Sequence, residues 1–380
     1  MRSDEVSQIA PMEMRLPAIK ETGKAQLMPN GAVWVGPQLH GQATELMDER
    51  GVVWSVCSRL DGTRSPETLI AEVTALHSDT DASEVSEIID FLIASGWVKD
   101  MAAHAPAELS TRELARYQRG IEFLDAINVS GGTDGYRLQA RLKACRVAVL
   151  GLGGVGSAVA TNLAASGVGQ IHCVDHDTVE LSNLNRQLLF TEADVGRGKI
   201  AAGVAHLRSR NSDVVITGTD TYLDGPQAIA DVASGCDALV MCADQPSESI
   251  RFWANEAAYA TGVPWLTASY SGPKFSLSCF IPGRTACCWC LAEGLAEQRA
   301  RKGLNPVAVQ ASTVTVNAVS ASSAQLAGHY LATETIRLLV GLPVQTAGRE
   351  LHRYLTDYDE QYYLDAEARP DCPVRCADVR

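Results

Sequence analysis

Four glycines constrain this chain more than any other feature. Gly151-Leu-Gly153-Gly154-Val-Gly156 follows the apolar run Val147–Leu150 and opens a helical stretch. Such a segment turns sharply after a buried strand, and its backbone N–H groups approach a ligand with no Cβ in the way. Asp175 ends the next apolar run, nineteen residues past Gly156, where an acidic side chain reaches ribose hydroxyls. Gly151, Gly153, Gly154, Gly156 and Asp175 therefore point to a nucleotide, and NAD and ATP fit this much of the pattern equally well. From Val147 to Gly169 there is no charged residue, a length that could span a bilayer. The clustered glycines with Ser157, Thr161 and Asn162 indicate instead a strand, a turn and a buried helix, and no membrane association is expected.

Beyond that motif the pattern alternates. Apolar runs at Val147–Leu150, Ile171–Val174, Val214–Gly218, Ala238–Cys242 and Trp265–Ala268 are separated by helical stretches. Strands alternating with helices imply an α/β fold, a doubly wound and mostly parallel Rossmann-like sheet. Phe275–Ile281 and Leu351–Asp357 read as later, antiparallel strands.

The first hundred residues read differently. AQLMPNGAVWVG is two short strands about an Asn-Gly turn, and a third strand follows near Ala43–Met47. A helix over Val52–Leu60 ends at Asp61-Gly62. Ser65 before Pro66 is an N-cap with proline in the first turn. Asp81 and Glu84 form a capping box ahead of Val85, Ile88, Ile89, Leu92 and Ile93, which share one helical face; Gly96 stops that helix. Trp97-Val98 returns as a strand, and Met101–Leu109 reads as a linker. The chain therefore divides into a small winged-helix-like α+β domain, 1–103, and a large domain, 104–380. With 380 residues it has the length for two cores.

A winged helix often binds DNA, but Ser83–Ser95 carries Glu84, Glu87 and Asp90 with no Lys or Arg, and the net charge is −13. Nucleic acid is excluded as a partner on electrostatic grounds. SVCSRLDGTRSPETLIAEV followed by EIIDFLIASGWV resembles the PqqD-like leader-peptide-binding domain of ribosomal-peptide maturation (RiPP biosynthesis) enzymes. That resemblance implies a precursor peptide as partner; a purely structural cap is the other reading.

The segment after the second strand separates ATP from NAD. Val174-Asp175-His-Asp177-Thr-Val-Glu-Leu-Ser182-Asn183-Leu-Asn-Arg186-Gln187 has no role in a dehydrogenase. It resembles the signature of the ThiF/MoeB/HesA, ubiquitin-activating-enzyme-like family of adenylating enzymes. Arg116-Tyr117-Gln118-Arg119, Gly198-Lys199, and Asp244 with Arg251 match in order. The resemblance covers roughly residues 114–376 and is closest in type to MccB-like peptide-maturation enzymes. It implies an ATP-dependent adenylyltransferase. Joining a carboxylate to the α-phosphate of a polyanionic nucleotide needs cations to offset charge. Arg186 and Lys199 are the candidates within the subunit, both expected to be exposed in the pocket. The resemblance assigns Arg119 to the triphosphate of the partner protomer in a homodimer, Asp244 to Mg2+, Asp175 to the ribose, and Asp177, Asn183 and Gln187 to the nucleotide pocket.

Of the 11 cysteines, five cluster in TACCWC and RPDCPVRC. Cys287, Cys290, Cys372 and Cys376 suit a structural Zn2+ with no open position, as the family places it, although the second pair has one residue more than the family spacing. Cys288 is an extra thiol. The other six sit in apolar surroundings and read as buried small hydrophobes in a reducing, cytoplasmic compartment; Asp4 and Glu5 interrupt any secretory signal. No cysteine lies between Leu291 and Asp371, where relatives that form an enzyme thioester place their nucleophile, so the chain is expected to stop at the adenylate. The favoured function is adenylation of a carboxylate on a precursor peptide whose leader the amino-terminal domain holds. The alternatives are activation of a ubiquitin-like sulfur carrier and a non-catalytic scaffold.

Overall fold

Caps and turns place the elements of the first unit. In the computed structural model, which describes residues 14–20, 23–36, 43–103, 105–128, 134–247, 249–303 and 318–376, the chain opens with four short strands: β1 (Pro17–Ile19), β2 (Gln26–Leu27), β3 (Val33–Val35) and β4 (Thr44–Leu46). β2, β3 and β4 form an antiparallel sheet in which Asn30 Oδ1 accepts from the Ala32 N–H across the turn. Helix α1 (Val52–Cys57) follows. Ser65 then caps α2 (Pro66–Leu76) by accepting from Thr68 N–H, and Asp81 caps α3 (Ala82–Ala94) by accepting from Glu84 N–H at 2.9 Å. Val85, Ile89 and Leu92 of α3 are buried against Val33, Val35, Val56, Leu69 and Val73, while Glu87 and Asp90 stay exposed. β5 (Val98–Asp100) pairs antiparallel with β1, a partner that so short a strand at Pro17 did not advertise.

Contacts divide the chain into Met1–Ala140 and Arg141–Arg380. Helix α4 (Thr111–Ile127) belongs to the first of these, and the division falls inside α5 (Gly135–Ala144). A buried pair joins α4 to the first strand. Lys20 Nζ donates to the Asp125 carbonyl at 2.8 Å and stands 3.5 Å from its carboxylate, tying the end of β1 to α4.

The second unit alternates as expected: β6 (Arg146–Leu150), α6 (Gly154–Ser166), β7 (Gln170–Asp175), α7 (Lys199–Arg210), β8 (Val215–Asp220), α8 (Pro226–Ala233), β9 (Ala238–Met241), α9 (Ile250–Thr261) and β10 (Trp265–Ser271). β11 (Lys274–Phe280), α10 (Cys288–Arg301), α11 (Ala321–Val340), β12 (Arg349–Tyr354) and β13 (Gln361–Asp365) complete it. These strands form one eight-stranded sheet in the order β13-β12-β11-β10-β9-β6-β7-β8. β10, β9, β6, β7 and β8 run parallel; the last three strands are antiparallel. Val147–Leu150 and Ala238–Met241 are buried throughout, as central strands covered on both faces must be. From β6 the chain winds outward through β7 and β8, then crosses back to β9 and β10. The sheet therefore has its switch point between β6 and β9, where doubly wound folds open a ligand crevice. Among the described residues no helix is long and apolar enough to cross a membrane.

Candidate nucleotide-binding site

At that switch point lies a cavity of about 530 Å3, a size that suits a cofactor or nucleotide. Gly151, Gly153 and Gly154 line it. Gly151 has φ +88°, and a Cβ there would lie 2.6 Å from Ala243 N. Gly156 does not line the cavity. It lets α6 start against the loop, because a Cβ there would stand 1.8 Å from the Gly151 carbonyl oxygen. Gly153 instead has open space around its missing Cβ. Gly153→Ala is therefore expected to leave the melting temperature nearly unchanged while weakening nucleotide binding about 10-fold, by filling space the ligand needs. Calorimetric titration and a thermal melt check the two halves of that expectation.

Asp175, at the end of β7, is buried, and its two oxygens hold the loop: Leu152 N–H donates to Oδ2 at 2.6 Å and Asp177 N–H to Oδ1 at 2.9 Å. Lys199 is not exposed as expected. Only 6% of it is accessible, and its Nζ donates to Asp177 Oδ2 at 2.7 Å, with Asp175 Oδ2 at 4.0 Å. The cause is local. Thr178 and Gly198 bridge as a short antiparallel pair, and Lys199 N–H donates to the Asp177 carbonyl, which pins the first residue of α7 beside β7.

Arg186 is half-buried. Its Nη1 donates to the Ser182 carbonyl at 3.0 Å and to Asn185 Oδ1 at 2.9 Å. Asn183 is buried in the turn below, where its side chain accepts from Glu180 N–H and its carbonyl accepts from Arg186 and Gln187 N–H. Asp177, Asn183, Arg186, Gln187, Lys199 and Asp244 all line the cavity, as does Arg251. Arg119 is not among the lining residues; it is exposed on α4 in the first unit. Three buried polar atoms of lining residues have no hydrogen-bond partner: Arg186 Nε, Gln187 Oε1 and Arg251 Nε. A polar ligand would satisfy them. Tyr222, which packs its ring edge-on against His176 at 4.9 Å, and Thr267, Ser269 and Tyr270 at the end of β10 also line the cavity. Sequence reasoning missed these four. The only signal was their place at the carboxyl ends of strands.

The cysteines form a second centre. Cys287, the N-cap of α10, and Cys290 in its first turn meet Cys372 and Cys376 from the C-terminal loop. Cys287 Sγ lies 3.5 Å from Cys372 Sγ and 3.8 Å from Cys290 Sγ, and Cys290 Sγ lies 3.4 Å from Cys376 Sγ. All four are buried, with Sγ atoms within 4.8 Å of one another. The irregular spacing of the second pair is absorbed by Arg375, whose φ of +49° bends the chain into the left-handed region between the two cysteines. Arg369 N–H donates to Cys290 Sγ at 3.4 Å, a backbone bond of the kind that supports a thiolate. Burial pushes the Cys287 thiol up, so a cation among the four is what would hold them ionised. Cys288 faces the other way, into the core beside α9, and its N–H donates to Asn255 Oδ1.

Strand order, glycine loop and cavity together define a doubly wound α/β protein with its ligand crevice at the switch point. The ThiF family profile matches residues 117–374, more than half of the chain, and the chain belongs to the ThiF family. It is 39% identical over 163 residues to the mouse adenylyltransferase and sulfurtransferase MOCS3, covering 43% of this chain and 33% of that one. It is 36% identical over 163 residues to the molybdopterin-synthase adenylyltransferase of Salmonella typhimurium, covering 43% and 61%. With the Escherichia coli sulfur carrier protein ThiS adenylyltransferase it shares 34% over 185 residues, 48% of this chain and 69% of that one. The chain thus spans from a third to about two thirds of the length of these curated relatives. Its fold matches that of E. coli MccB with a TM-score of 0.76 at 19% identity, over 94% of this chain and 96% of that one. The match to MccB solved with MccA-N7isoASN has a TM-score of 0.74 at 20% identity, over 95% and 99%.

Proposed function

We propose that this chain is an ATP-dependent adenylating enzyme that turns a carboxylate of a precursor peptide into its acyl-AMP with release of pyrophosphate. The observation that carries the chemistry is the cavity itself. A glycine loop, a helix N-terminus, Arg186 and Lys199 converge on one space, and the unpartnered Arg186 Nε and Gln187 Oε1 border it. The attacking carboxylate is already an adequate nucleophile, so no general base is needed. Asp175 would take the ribose, and Asn183 and Gln187 the remaining wall. Asp244, exposed at the cavity edge after β9, would hold Mg2+, whose charge would help offset that of the phosphates. The four-cysteine cluster would hold a structural Zn2+. For Zn–S bonds of about 2.3 Å a tetrahedron puts the sulfurs about 3.8 Å apart, near the spacings found.

A peptide substrate is supported by the extent of the MccB likeness, which takes in the small amino-terminal unit, and by the solved complexes of E. coli MccB with MccA. Residues 1–103 would bind the leader as an added strand beside α3, in the PqqD-like manner. A second reading, activation of a sulfur-carrier C-terminus in the cytoplasm, is favoured by the names of the curated relatives. Pyrophosphate release from ATP, measured with short peptides encoded beside the gene and with a folded carrier ending in Gly-Gly, separates the two. Release with the peptide alone supports the first reading, and release with the carrier alone the second.

Arg119 would reach the triphosphate of the other protomer in a homodimer. Mixing Arg119→Ala with Lys199→Ala protomers is then expected to restore part of the exchange activity, since one site of each heterodimer regains both groups. No recovery after verified subunit exchange would place Arg119 in cis or in a structural role.

A further inference from the structure

Behind the β10 side of the cavity lies a buried carboxylate that the chemistry above does not use. Glu350, near the start of β12, is 7% exposed and does not line the cavity. Ser276 Oγ donates to its Oε1 at 2.9 Å, and Ser269 Oγ, on the cavity wall, lies 3.0 Å from Ser276 Oγ. Arg251 Nη2 stands 3.8 Å from the same Oε1, and Arg251 also lines the cavity. The network therefore leaves the wall at Ser269 and returns to it at Arg251. On the far side His352 Nε2 lies 3.2 Å from Oε2, with its ring stacked on Tyr362. Burial alone would raise the Glu350 carboxyl, but His352, Arg251 and Ser276 hold it down to about 2. Taking a carboxylate out of water is costly, and here it sits 3.8 Å from a guanidinium.

Arg251 has donors to spare. Its Nε is buried without a partner, and the guanidinium carries five N–H groups in a planar fork suited to a carboxylate. Its position also divides the cavity. The glycine loop and Asp175 belong to β6 and β7; Arg251 begins α9, after β9, on the opposite side of the switch point.

We propose that Glu350 is a positioning residue that holds the Arg251 guanidinium at the β10 side of the cavity, where it receives the carboxylate to be adenylated. This rests on the adenylation reading. Orientation of the reacting carboxylate is what such a fixed fork contributes.

Two compounds test it by binding alone: AMP, and 5′-O-(N-glycylsulfamoyl)adenosine, whose acyl carbonyl mimics that of the acyl-AMP. Glu350→Gln and Arg251→Ala are each expected to weaken the acyl compound about 10-fold and AMP less than about 2-fold. The double variant is expected to bind no more weakly than Arg251→Ala, because Glu350 acts through that arginine. Ser276→Ala, which keeps the charge, should shift the ratio of the two affinities in the same direction by about 3-fold. The ratio is read within one protein, so a general loss of fold does not move it. Equal weakening of both compounds, no change in either, or additive effects in the double variant overturns the role of Glu350 and leaves adenylation standing. Wild-type protein that binds neither compound overturns both.

Discussion

Lys199→Ala is expected to lower ATP–pyrophosphate exchange about 100-fold or more, the scale on which one charge-stabilising group acts at a reacting phosphate. Arg186→Ala is expected to match it in exchange but not in stability. Lys199 is buried, but the Asp177 carboxylate it bonds is open to solvent and buried Asp175 stands 4.0 Å away, so its removal leaves Asp175 without its nearest cation. The Lys199→Ala protein should therefore melt a few degrees lower as well, corresponding to about 1 kcal/mol for a pair whose nearer carboxylate is open to solvent. Arg186 is half-buried and bonded to its own turn, so its removal should leave the melt close to wild type. Exchange rates with a thermal melt on each variant check this, and unchanged exchange in both would remove these residues from the reaction.

The second large effect concerns the cysteine cluster. Wild-type protein should carry about one Zn2+ per chain, and Cys287→Ser should lose it. The sulfurs sit where α10 meets the C-terminal loop, so a metal bound there would join segments far apart in sequence. Structural zinc contributes several kcal/mol or more to folding, and at about 2–4 °C per kcal/mol for a unit of this size the melt should fall by about 10 °C or more. Elemental analysis and calorimetry measure both. A folded, active, metal-free wild type would show that the irregular second pair has lost its ligand role.

Different physical signals made different parts of this molecule legible. The parallel strands could be read because their burial on both faces leaves unbroken apolar runs, as in Val147–Leu150 and Ala238–Met241. Ser65 and Asp81 were legible as caps because capping chemistry is local. β1 and β13 were not. Pro17–Ile19 has three residues and pairs with a strand eighty residues away, and Gln361–Asp365 is largely exposed, so neither leaves a pattern. Gly151, Gly153, Gly154 and Asp175 came from motif spacing, and Asp177, Asn183, Arg186, Gln187, Lys199 and Asp244 from the family resemblance. The burial of Lys199 came from neither, because it depends on the Thr178–Gly198 bridge, a tertiary contact. The Ser269–Ser276–Glu350–Arg251 network joins four segments across β10, β11, β12 and α9, and no spacing along the chain announces it.

Activation of a carboxylate with ATP in the cavity is the proposed chemistry. Incorporation of labelled pyrophosphate into ATP tests it most directly, using each candidate peptide both with the free carboxyl group and with that group converted to an amide. The expected result is exchange that requires the carboxylate, is lost in the amide, and falls about 100-fold or more with Lys199→Ala. Exchange that is absent with every free acid, or that persists unchanged with the amides, would contradict it.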